Sequence, residues 1–219
     1  IVFGDWSSDV CSSDLAGMRL THDLLGGVVR RGRLSAFAGR KVFHVALGVW
    51  VIPLVHGLTR AWLFLPALAL ILAGNAGANW RRHRRTIRLE RGLYYLAVVV
   101  WPLLALGWAW LAGRRAELVL AVLAMSGGDA AAAIAGRRLG GPRLPWTGKS
   151  LVGAAVNAAA VLGIVTIGGH FGYGLALPAL LPAAGAAALA GAAAEAAVPG
   201  WLDNPAMLVT LWMVLVAMP

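Results

Sequence analysis

The chain has 219 residues, of which 60% are hydrophobic and only 13% charged, and its formal net charge is +10. Soluble domains carry about 25% charged residues, so this composition excludes a soluble globular enzyme and indicates an integral membrane protein. The cations lie in short loops between apolar runs rather than on one folded face, which argues against nucleic acid and for lipid head groups or nucleotide phosphates as counter-ions.

The first fifteen residues, IVFGDWSSDVCSSDL, are polar and share no pattern with the rest. They resemble a translated sequencing adapter and are set aside as an artefactual extension, with the native start expected near Met18 or upstream of it. Cys11, the single cysteine, falls in this stretch, so neither a disulfide framework nor a cysteine-based metal site is available. Residues 16–219 then read as one membrane domain. Apolar runs of about 20 residues mark spanning helices, and the chain offers seven, at about 42–58, 61–79, 93–112, 116–136, 150–168, 173–193 and 205–219. The last is short, which suggests truncation at the C-terminus. The fold class expected is an all-α polytopic helical bundle.

Alternate loops collect the positive charge. Arg19, Arg30, Arg31, Arg33, Arg40 and Lys41 precede the first span; Arg81, Arg82, Arg84, Arg85, Arg88 and Arg91 follow the second; Arg137, Arg138, Arg143 and Lys149 follow the fourth. Only Arg60, Arg114 and Arg115 of the 19 cations fall on the other side. The positive-inside rule therefore places the richer loops in the cytosol, together with the connection that holds Glu195, Asp203 and Asn204. A bacterial inner membrane is the expected location.

The segment from Met125 to Ala154 carries the densest chemistry. Asp129 is the one carboxylate in a helix-length uncharged run, eight residues or about 12 Å of helix before Arg137 at 1.5 Å per residue, which places it just below the head-group region. Charged groups within spans are costly unless paired or facing a cavity. Asp129 thus reads as a metal ligand or a general base beside a lipid hydroxyl, against a structural Asp paired with a buried Arg or a backbone donor. Gly136, seven residues on, leaves room above the carboxylate. Gly148-Lys149-Ser150 resembles the end of a phosphate loop, but Arg143 stands where such a loop needs glycine, so a Walker-type site is rejected. Lys149 and Ser150 can still open the fifth span, where free N–H groups favour phosphate.

The remaining polar residues are read in the same way. Arg40, Lys41 and His44 begin the first span, with His44 read as a structural donor before a base. Glu90 sits among arginines and reads as a local salt bridge. Glu195, Asp203 and Asn204 suit Mg²⁺, which takes carboxylates, waters and substrate phosphates, while Asp203-Asn204-Pro205 is also a good helix start. His56 and His170 receive no role, and the tryptophans, Trp146 among them, read as interfacial belts and packing.

The blocks RKVFHVALG, LERGLYYLAVVV, MSGGDAAAAIAGRRLGGPRLPWTGKSLVGA and EAAVPGWLDNPA occur in the order seen in the phytol kinase and dolichol kinase family. The resemblance covers about residues 40–218, and its central block is the most specific. It implies a multi-spanning CTP-dependent lipid kinase that moves a γ-phosphate, with Mg²⁺, to an isoprenoid alcohol such as phytol, geranylgeraniol or a polyprenol. The matching positions are Arg40, Lys41, His44, Glu90, Arg91, Asp129, Gly136, Arg137, Lys149, Ser150, Gly153, Glu195, Asp203 and Asn204. Two departures stand out: Ala133 replaces a second Asp of the plant-type pattern, and Leu202 replaces the first Asp of an Asp-Asp-Asn run.

The roles implied are Asp129 and Lys149 in catalysis, and Arg40, Lys41, Gly136, Arg137, Lys149, Ser150 and Asn204 at nucleotide and phosphate. Asp129, Glu195 and Asp203 would bind metal. Two other enzymes remain alternatives, a diacylglycerol kinase and a phosphatidate cytidylyltransferase-like enzyme. A third is a non-catalytic membrane protein or transporter, which paired broken helices with inverted symmetry would favour; the sequence shows none.

Overall fold

The computed structural model describes residues 35–57, 112–198 and 203–217, with a few isolated positions beside them. The predicted spans at 61–79 and 93–112, with Glu90 and Arg91, lie almost wholly outside the described residues, as do residues 1–15 and Leu202. Within the described residues the chain is helical and contains no strand. Five helices follow in order: α1 (Ala36–Gly57), α2 (Arg115–Leu139), α3 (Leu151–Ile167), α4 (Leu177–Ala197) and α5 (Asp203–Val216).

Three of the helical runs are long and apolar enough to cross a membrane: Arg115–Leu139, Leu151–Gly172 and Leu177–Ala197. These are the fourth, fifth and sixth predicted spans. The sixth starts later than predicted, at Leu177 instead of 173. The reason is local, since α3 runs on through a π-helical turn, Gly168–Gly172, and then breaks at Gly174, whose φ of +68° favours glycine. His170 holds the break, its Nδ1 lying 2.9 Å from the Leu175 carbonyl oxygen. The seventh predicted span appears as α5, only 14 residues, or about 21 Å at helical rise. The first predicted span falls on α1 over all but its last residue.

α2 is the central helix, packing against α1, α3 and α5. Of its membrane-length window 61% is buried, against 22% for α3 and 33% for α4. Its burial explains its composition. A Cβ added at Gly128 would meet Asn157 Oδ1 and a Val161 methyl, both at 3.0 Å, and one at Gly153 would stand 3.0 Å from the Ala132 carbonyl oxygen. Larger residues would force α2 and α3 apart, so Gly and Ala are what close helix approach requires. The core is completed by Leu118, Leu120, Val161, Val165, Met207 and Leu211.

The contacts set the helix directions. Lys41 near the start of α1 reaches Asp129 in the second half of α2, and Gly136 late in α2 meets Ser150 and Gly153 at the start of α3. Neighbouring helices therefore alternate in direction. The start of α1, the end of α2, the start of α3, the end of α4 and the start of α5 all gather at one end of the bundle.

Candidate functional site

At that end lies a cavity of about 450 Å³. Its wall includes Lys41, Asp129, Gly136, Arg137, Lys149, Ser150, Glu195 and Asp203, eight of the ten residues expected at the site, together with Phe37, Arg143 and Gly153. Asn204 sits beside it on α5 but does not line it. Arg40 belongs to α1 by its backbone, and its side chain lies outside the described residues. The small lining of Ala132, Ala133, Gly136, Gly153 and Ala154 keeps the cavity open where bulkier side chains would fill it.

Asp129 is buried and paired with a lysine from another helix. Lys41 Nζ donates to both carboxylate oxygens, at 3.0 Å to Oδ1 and 2.7 Å to Oδ2. The structural reading of Asp129 anticipated such a pairing, though with arginine or backbone as donor. An ammonium has three donors, and these two bonds leave one for another acceptor. His44 Nε2 stands 3.7 Å from Asp129 Oδ2, too far for a hydrogen bond, and has no partner.

The second charged cluster is built on the turn between α2 and α3. Gly140 and Gly148, with φ of +67° and +70°, allow the chain to fold back on itself. Backbone bonds then close the turn: Leu144 N–H donates to Lys149 O, Gly148 N–H to Leu144 O, and Leu151 N–H to Pro142 O, all within 2.9 Å. Ser150 caps α3, its Oγ accepting from Gly153 N–H at 3.4 Å and donating to Gly140 O at 2.7 Å.

From this turn Lys149 Nζ reaches Glu195 Oε1 and Asp203 Oδ2, each at 3.1 Å, and also donates to the Glu195 carbonyl oxygen. Trp146 Nε1 and Thr147 Oγ1 both donate to Ala196 O at the end of α4. Asp203 has a second contact, its Oδ1 accepting the N–H of the next residue, Asn204, at 2.8 Å.

The three carboxylates expected to share a metal line one cavity but stand in two separate ion pairs. Among the described residues, no three His, Cys, Asp or Glu side chains form a group that could hold a metal ion. Mg²⁺ needs fewer protein ligands than that, often one or two carboxylates beside substrate phosphates. The α4–α5 side meets this requirement: Glu195 Oε2 and Asn204 Oδ1 are buried oxygens with no hydrogen-bond partner. Buried polar atoms of this kind call for a ligand, an ion or water.

Two lining residues were missed or undervalued in the sequence. Phe37 carries the Arg137 guanidinium over its ring at 4.5 Å; it precedes Lys41 by four residues, so a shared helix face was the available signal. Arg143 stands in the sequence as a loop cation and as the residue that breaks the phosphate-loop pattern. In the structure its Nη1 bonds Gly148 O at 3.0 Å and its side chain lines the cavity. Comparison of the chain with protein-family models, with curated proteins and with solved structures finds no match.

Proposed function

We propose that the chain is a membrane-embedded kinase that transfers the γ-phosphate of a nucleotide, CTP by its resemblance, to the hydroxyl of an isoprenoid alcohol at the cytosolic face. One observation carries the reading. Helices α1, α2, α4 and α5 and the α2–α3 turn bring Lys41, Asp129, Arg137, Arg143, Lys149, Glu195 and Asp203 to a single cavity at one end of an apolar bundle. Phosphoryl transfer asks a protein mainly for positioning and charge neutralisation, and this wall supplies both.

In this reading the alcohol tail stays among the apolar helices and its hydroxyl reaches Asp129, which accepts the proton as the oxygen attacks the γ-phosphorus. Lys41 fixes the carboxylate from both oxygens and keeps one donor for the hydroxyl or the transferring phosphoryl group. Arginine side chains on the cavity rim meet the phosphates, where charge-assisted bonds are strongest. Glu195, Asp203 and Asn204 are the residues that would hold Mg²⁺, which when bound neutralises phosphate charge.

The test is a transfer assay in membranes expressing the chain, with γ-labelled nucleotides screened against phytol, geranylgeraniol, polyprenols and diacylglycerol. Label is expected on an isoprenoid alcohol, with CDP as the second product. Release of pyrophosphate instead indicates a cytidylyltransferase, and label on diacylglycerol alone a diacylglycerol kinase. No transfer above control membranes with any pair overturns the kinase reading.

A further inference from the structure

The cavity wall carries four cations and three carboxylates, and the way they pair separates those available to a ligand from those already used. Lys41 faces Asp129. Lys149 faces two carboxylates, each 3.1 Å from its Nζ, and hydrogen-bonds Asp203 Oδ2 and the Glu195 carbonyl oxygen. Arg137 and Arg143 face no carboxylate among the described residues. Arg137 rests on the Phe37 ring and Arg143 spends one donor of five on the Gly148 carbonyl.

We infer that Arg143, together with Arg137, is the phosphate-binding group of this cavity, and that Lys149 is a positioning residue that holds Glu195 and Asp203 in place without touching the nucleotide. The inference rests on the kinase reading and reverses the role that the Gly148-Lys149-Ser150 pattern suggests. Its chemistry is one of remaining capacity. A phosphate approaching Lys149 meets the like charge of two carboxylates already 3.1 Å from its Nζ, and drawing the lysine away leaves those partly buried acids without their cation. A phosphate approaching Arg143 meets an exposed guanidinium with four unassigned N–H donors, in the planar fork that suits phosphate.

The pairing also divides the cavity electrically. Glu195, Asp203 and Lys149 sum to one negative charge, whereas Arg137 and Arg143 bring two positive charges with no carboxylate facing them. A nucleotide with a bound divalent cation has the matching polarity, with the cation toward the acids and phosphate oxygens toward the arginines. Lys149 holds the two acids in register in spite of their mutual repulsion.

The experiment uses the full chain in detergent, measuring equilibrium binding of CTP with and without Mg²⁺, and steady-state transfer to the alcohol found active. Arg143→Gln is expected to weaken CTP binding about tenfold in both conditions and to raise KM for CTP with little change in kcat. Lys149→Arg, which keeps the charge and guards against loss of folding, is expected to leave Mg²⁺-free CTP binding within about twofold. It should lower kcat and raise the Mg²⁺ concentration needed for half-maximal rate about fivefold. Unchanged CTP binding in Arg143→Gln, or a tenfold loss of Mg²⁺-free binding in Lys149→Arg, overturns the assignment while leaving the kinase reading intact. Failure of the unaltered chain to bind any nucleoside triphosphate removes the kinase reading itself.

Discussion

The two ion-pair clusters of the cavity use the same residue types in unlike ways. Lys41 is set against one carboxylate, Asp129, with one N–H donor to spare, and the pair joins α1 to α2. Lys149 is set against two carboxylates and a carbonyl, its one charge shared between two acids, and joins the α2–α3 turn to α4 and α5. A cation beside a single acid suits chemistry that changes during turnover, whereas one outnumbered by its acids suits a fixed frame. A lysine at a phosphate-like motif that already faces two carboxylates is not thereby free to bind phosphate.

Stability separates the clusters most sharply. Lys149→Met strands Glu195 and Asp203 next to each other in a poorly solvated site, and removing one partner of a buried pair costs about 3–5 kcal/mol. Thermal unfolding in detergent is expected to show this loss, and a clearly smaller one for Lys41→Met, which strands one carboxylate. Equal losses would erase the distinction. Next in size is Asp129→Asn, expected to lower turnover on the order of 10²-fold with the protein still inserted. Near-full lipid kinase activity would move Asp129 to the frame alongside the Lys149 cluster.

Two smaller effects sharpen the comparison. Ser150→Ala removes the α3 cap and the tie to Gly140, at a cost of about 1 kcal/mol, visible as a small drop in unfolding temperature. Phe37→Leu removes the ring beneath Arg137, worth about 0.5–1 kcal/mol, and should raise the nucleotide KM about two- to fivefold with turnover unaltered. A change in kcat there would connect Phe37 to the Lys41–Asp129 pair.

Helix α2 was legible in the sequence because its apolar length and its bounding arginines are local signals; the predicted 116–136 lies within the observed Arg115–Leu139. The cavity wall was legible for a related reason, since charged residues at the ends of alternating apolar runs must meet at one end of a bundle. The pairings were not legible. Lys41 and Asp129 are 88 positions apart, and no periodicity distinguishes Lys41 from its neighbour Arg40 as the partner. The late start of α4 was hidden as well: the glycines of GGHFG read as the break between two spans, whereas that stretch winds on as a π-helical turn and the break falls after it. Trp146 reads as a belt residue by type, yet its indole N–H has a specific acceptor in Ala196.

The end of α4 is finished by a piece of chain 46 to 50 residues earlier. The last carbonyls of a helix have no partner within it, and here Glu195 O and Ala196 O take theirs from Lys149, Trp146 and Thr147. The helix end is not complete without the turn: if the turn lifts away, the carbonyls of α4 lose their donors and the Glu195 and Asp203 carboxylates lose their cation in the same event. Opening at this corner is therefore all-or-none, and amide hydrogens of the closed turn and those in the last turn of α4 should exchange with solvent at a common rate set by one shared opening.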